Sequence, residues 1–119
     1  MDVRSRDDAE PFTTADGSMI RVLLDAEVAR ARNQSLAEAT LAPGQETQRH
    51  YHAVSEELYV VLDGEGEIEV DGERRHVAPG DAVLLPPGAW HQIRAVGDSE
   101  LRFLCCCAPP YRHEDTYFS

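Results

Sequence analysis

The stretch Gly44–Gly66, GQETQRHYHAVSEELYVVLDGEG, carries the reading of this chain. Its front half places His50 and His52 two residues apart. In an extended strand, alternate side chains share a face, so both imidazoles point the same way. After a short bend at Ala53 to Ser55, the run Glu57 to Leu62 (ELYVVL) is rich in β-branched and aromatic residues, which suit a pleated surface. Glu57 opens that run and can face the same centre as the two histidines. Asp63-Gly64-Glu65-Gly66 then turns the chain.

Downstream, the punctuation is regular. Glu67 to Val70 and Glu73 to Val77 read as strands joined by Asp71-Gly72, a strong tight-hairpin signal. Pro79-Gly80-Asp81 turns again. Ala82 to Leu85 is a strand that Pro86-Pro87-Gly88 breaks, and Trp90 to Ala95 and Leu101 to Cys107 complete the series. Pro109-Pro110 stops sheet pairing. Upstream, Met19 to Leu24, Leu36 to Leu41 and Gln48 to His52 read as further strands, while Asp25 to Asn33 fits either a loop or a helical turn. Short strands at this spacing predict an all-β sandwich or barrel. The expected organisation is a polar arm over residues 1–18, loose in its first dozen residues, a β-domain over 19–108 and a tail over 109–119.

His91 follows the Pro-Gly break, on a strand far from His50 and His52 in sequence. Three imidazoles and one carboxylate, His50, His52, His91 and Glu57, suit one divalent transition ion: iron, manganese, nickel, copper, cobalt or zinc. His76 and His113 have no ligand-type spacing and read as ordinary surface or hydrogen-bonded residues.

The spacing carries a family resemblance. Gly44, five residues, His50, one residue, His52, four residues, Glu57, six residues, Gly64 resembles the first cupin motif along its whole length. Gly80, five residues, Pro86, one residue, Gly88, two residues, His91 resembles the second. The likeness runs from about Gln34 to the C-terminus. It implies a cupin-type jelly-roll β-barrel, or double-stranded β-helix, with His50, His52, Glu57 and His91 as metal ligands, and a homodimer. Glu56 is the rival to Glu57, but only Glu57 keeps the six-residue gap to Gly64. The family's second motif usually carries Asn where this chain has Ala95, which puts a substrate contact in doubt and leaves the ligands untouched.

Strand parity nominates the rest of a pocket. Gln48 shares parity with His50 and His52; Tyr59 and Val61 with Glu57; Ile93 and Ala95 with His91; and Phe103, Cys105 and Cys107 form one row. Gln48, Tyr59 and Phe103 are the substrate-binding candidates. Trp90 has the opposite parity and reads as a packing residue. Arg112-His113-Glu114-Asp115 reads as a solvated terminus, with a flap over the barrel mouth as the alternative.

Composition limits the partners. The formal charge of −11 repels phosphate backbones, so no nucleic acid is expected. No apolar run reaches the roughly 18 residues of a membrane span. The first ten residues alternate acid and base, unlike a signal or transit peptide, so the expected location is the cytoplasm. Cys105, Cys106 and Cys107 are an odd, consecutive set and form no disulfide framework; they read as small apolar residues in a reduced compartment.

Ligand arithmetic suggests the chemistry. Four protein ligands leave coordination positions open, and three neutral imidazoles with one carboxylate leave a divalent ion at net +1. Such a site favours anionic chelating ligands: enolates, diketones, 2-oxo or hydroxy acids and catechol-like phenols. The open site together with the resemblance to small cupin dioxygenases implies a mononuclear oxygenase as the leading expectation, with iron or manganese foremost among the metals. A non-redox isomerase, cyclase or decarboxylase is the second reading, and a non-catalytic ligand- or metal-binding module the third.

Overall fold

Two antiparallel sheets face each other, and the computed structural model describes residues 1–119. The strands are β1 (Phe12–Thr13), β2 (Met19–Leu24), β3 (Ser35–Leu41), β4 (His50–His52), β5 (Glu56–Asp63), β6 (Glu65–Val70), β7 (Glu73–Val77), β8 (Ala82–Leu85), β9 (His91–Val96), β10 (Leu101–Ala108) and β11 (Thr116–Phe118). One sheet runs β1-β2-β3-β10-β5-β8 and the other β11-β4-β9-β6-β7. This is the all-β class the strand pattern predicts and the jelly roll the family resemblance implies, with only 3-10 turns at Arg6–Asp8 and His113–Asp115 besides.

Alternation along the strands builds the interior. In β5, Glu57, Tyr59 and Val61 are buried while Glu56, Leu58 and Leu62 are exposed. In β9, His91, Ile93 and Ala95 are buried, and in β10 so are Leu101, Phe103 and Cys107. The apolar core joins Leu41, Val61, Leu85, Ile93, Leu101 and Phe103 from both sheets. Burying such side chains stabilises by roughly 1.5–3 kcal/mol each.

Two turns show why glycine stands where it does. Asp71 and Gly72 have φ of 49° and 88°, the all-positive pair that a two-residue hairpin between β6 and β7 requires. Gly64, with φ of 77°, is the corner where the chain leaves one sheet at Asp63 and enters the other at Glu65. A Cβ there would collide with the Glu100 carbonyl oxygen.

The structure departs from the sequence expectations at the ends and at Gln48. The arm is tied down: β1 pairs with β2, Arg30 forks onto Asp2, and Arg6 Nε lies 2.8 Å from the buried Glu38. The tail pairs β11 with β4. In both places, charges and apolar residues that look solvated locally find partners far along the chain. The strand expected to start at Gln48 begins only at His50, because the Thr47 and Gln48 amides donate to Ile93 and Asp16 carbonyls instead.

Candidate metal centre

The topology brings three histidines to one point. His50 and His52 share the inner face of β4, and His91, first residue of β9, lies directly opposite His50 in the ladder. One ring nitrogen from each falls within 4.8 Å of the other two. Glu57 reaches the cluster from the facing sheet, with Oε1 at 3.3 Å from His52 Nε2 and 3.6 Å from His91 Nε2. All four residues are at most 4% exposed.

Each imidazole is oriented from behind. His50 Nδ1 lies 2.7 Å from the Gln48 carbonyl, His91 Nδ1 3.0 Å from that of Ala89, and His52 Nδ1 3.3 Å from that of Asp115. A carbonyl only accepts, so these contacts place the proton on Nδ1 and turn the Nε2 lone pair inward. Backbone partners of this kind are the usual support behind metal-ligating histidines.

The electrostatics follow from burial. Loss of hydration, with His91 adding to it, pulls the His50 imidazole down and keeps it neutral. Burial acts to lower His52 too, but the Glu57 carboxylate outweighs it and raises this imidazole. Burial also acts to raise Glu57, yet the facing histidines dominate and hold it at about 2, so it is anionic. Glu57 Oε1 and His91 Nε2 are buried without any hydrogen-bond partner. These two unpartnered groups lie 3.6 Å apart, an arrangement that a cation between them would satisfy. The cluster suggests a metal ion, and the donor set fits one.

The centre opens onto a cavity of about 270 Å³. His50, His52 and Glu57 are among its lining residues, while Tyr59, Phe103, Phe12, Ile20 and Leu36 supply apolar wall. Tyr59 and Phe103 pack with ring centroids 4.7 Å apart. Burial, aided by Glu57, pushes the Tyr59 phenol up, so it keeps its proton. Burial and Glu57 do the same to the Cys107 thiol. No arginine lines the cavity, and the chain contains no lysine.

Of the substrate-binding candidates, Tyr59 and Phe103 stand on the cavity wall. Gln48 does not: its side chain is exposed and only its backbone carbonyl serves the site, through His50. Parity fails there because Gln48 precedes the strand. Several wall residues escape the parity argument: Asp16, Ser18 and Phe12 from the arm, and Tyr111 and His113 from the tail. Asp115 was missed as well. Its carboxylate accepts from the amides of Ala53, Val54 and Ser55, at 3.0–3.2 Å, and so braces the bend between the strands of His52 and Glu57. The tail's alternative reading as a flap was the one available signal. Trp90 packs outside, against Tyr51 and under the Arg49 guanidinium.

Comparison with known proteins adds family information. The Cupin domain profile matches residues 37–107. An uncharacterized protein of Methanocaldococcus jannaschii is 44% identical over 110 residues, which cover 92% of this chain and 88% of that one. The polyketide synthase CurC of Streptomyces cyaneus is 31% identical over 93 residues, 78% of this chain and 60% of the relative. Among solved structures, a predicted oxalate decarboxylase from Thermotoga maritima superimposes with a TM-score of 0.80 at 24% identity, over 90% of this chain and 98% of the other. Oxygenase, decarboxylase and dehydratase names all occur among the further similar proteins. No helix is long and apolar enough to cross a membrane.

Proposed function

This chain belongs to the cupin family, and from that premise we propose that it is a mononuclear metal-dependent oxygenase acting on a small chelating organic substrate of the enolate, diketone or phenol type. The observation that carries the proposal is the set of buried, mutually facing imidazole and carboxylate groups, two of them without a hydrogen-bond partner, at a largely apolar cavity that no arginine or lysine lines. His50, His52, Glu57 and His91 would hold one divalent transition ion per chain, iron or manganese in the first place. Such an ion supplies Lewis acidity and one-electron chemistry with dioxygen.

The remaining work falls to the chain itself. With a divalent ion bound, three imidazoles ligating as neutral groups and the anionic Glu57 would leave the centre at net +1, which draws a monoanionic chelating head. A phosphate or second carboxylate would be buried without a guanidinium or ammonium partner, and an unpaired buried charge is costly. The substrate body is apolar: the cavity's 270 Å³ exceeds the ~150 Å³ that holds benzene, so a substituted ring fits. Phe103 packs that body, and the protonated Tyr59 donates to an oxygen of the substrate. The relative named as a polyketide synthase supports an enolisable or phenolic substrate.

A non-redox isomerase, cyclase or decarboxylase is the second reading, favoured by Asp16 and Tyr59 on the wall as proton-handling groups. Elemental analysis of natively purified protein, followed by oxygen-electrode assays with acetylacetone and catechol, separates the readings. Iron or manganese with substrate-dependent oxygen uptake is expected. Zinc or nickel without uptake would favour the second reading, and metal without turnover of any substrate would favour a binding module. Metal retained by the His50→Ala/His52→Ala/His91→Ala triple variant would overturn the site. The homodimer is part of the same proposal: Leu58 and Leu84, paired across β5 and β8, lie exposed with Leu62 on the outer sheet face, and light scattering reads the mass.

A further inference from the structure

Cys107 stands directly opposite Glu57 in the ladder between β10 and β5. Facing residues of an antiparallel pair project to the same side of the sheet, so thiol and carboxylate meet on the cavity side. The Cys107 Sγ lies 3.1 Å from Glu57 Oε2, with the two residues 2% and 4% exposed. The carboxylate oxygens therefore have different surroundings. Oε1 faces the Nε2 atoms of His52 and His91 and has no hydrogen-bond partner, while Oε2 accepts from the thiol.

We propose that Cys107 is a positioning residue for the metal centre: its S–H holds Glu57 Oε2 and leaves Oε1 as the single carboxylate oxygen directed at the imidazoles. The inference rests on the metal-centre reading above. A carboxylate held by one oxygen occupies one coordination position and leaves room for a chelating substrate. Released at Oε2, it is free to turn both oxygens inward and take that room. The thiol also spares Oε2 the cost of being buried without a donor. It explains why one member of the cysteine run faces inward beside a ligand, where an apolar residue would fill the space equally well.

The test uses the full chain, stripped by chelation and titrated with Co²⁺. A thiol is a weak donor, so the effect belongs at the low end of the range for groups supporting metal ligands: Cys107→Ala should bind Co²⁺ about 10-fold more weakly, and Cys107→Ser, which keeps a donor, within about 3-fold of the wild type. Infrared difference spectra of cobalt-loaded against metal-free protein read the carboxylate directly. The separation between its antisymmetric and symmetric stretches should narrow in Cys107→Ala and remain wide in Cys107→Ser. Should Cys107→Ala fail to fold, Cys107→Val fills the volume without a donor and takes its place. Unchanged affinity and unchanged splitting in the donor-free variant would overturn the role of the thiol. A thiolate-to-cobalt charge-transfer band in the wild type would also overturn it, by making Cys107 a ligand. Wild-type protein that takes up no cobalt would overturn the metal-centre reading itself, an outcome distinct from the other two.

Discussion

Asp115→Ala removes the brace between the two ligand-bearing strands. Asp115 is 9% exposed and accepts from three consecutive amides, those of Ala53, Val54 and Ser55. The buried Ser55 amide loses a charge-assisted bond and is left unsatisfied, a cost of about 2 kcal/mol. Ala53 and Val54 are exposed, so water replaces much of what they lose, and they contribute roughly 0.5–1 kcal/mol each. The expected total is about 3–4 kcal/mol, or a fall in Tm of roughly 10–15 °C for a domain of this size. The Asp115 backbone carbonyl remains, so His52 keeps its Nδ1 partner and the loss is mainly one of stability. Urea denaturation at pH 7 measures it. The pH dependence has a defined sign. Burial acts to raise this carboxyl, but the three amides outweigh it and hold it below its ordinary 3.8. Its contribution is therefore complete above pH 3.8 and is lost as pH falls through the lower folded value. The difference between wild type and Asp115→Ala should shrink in that acid window. A loss under about 1 kcal/mol at pH 7 would refute this reasoning, since it would mean the amides find other acceptors at no cost.

Other perturbations separate packing from chemistry. Gly64→Ala, at φ 77° and against the Glu100 carbonyl, should destabilise by more than about 2 kcal/mol in urea denaturation, whereas Gly72→Ala, at φ 88° with open space around it, should cost only about 1 kcal/mol. Phe103→Ala, from a residue 1% exposed, should cost about 3 kcal/mol and weaken apolar ligands measured by calorimetric titration. Chelation of natively purified protein should lower its Tm, because metal held at 100 times its Kd contributes about 2.7 kcal/mol, and re-addition should restore it.

Much of the barrel is readable from local pattern. The Asp71-Gly72 hairpin, the alternation of Glu57, Tyr59 and Val61, and the inward row of His91, Ile93 and Ala95 all depend on turn chemistry and a period of two, which neighbouring residues specify by themselves. The same periodicity misplaced Gln48, because parity holds only within a strand and the residue lies two positions before β4 begins.

The sequence by itself determined the two histidine-bearing motifs, the preference for Glu57 over Glu56 and the all-β class, since the first two rest on residue spacing within a motif and the third on the regular succession of short strands and turns. Only the tertiary structure decided what stands around them. Asp115 reaches amides some sixty residues away, the arm supplies Phe12 and Asp16 to a cavity built mostly from later strands, and Cys107 meets Glu57 through a ladder between strands fifty residues apart. Such contacts depend on which strands pair and in what register, and that is settled by burial and hydrogen bonding across the whole chain, which no local period records.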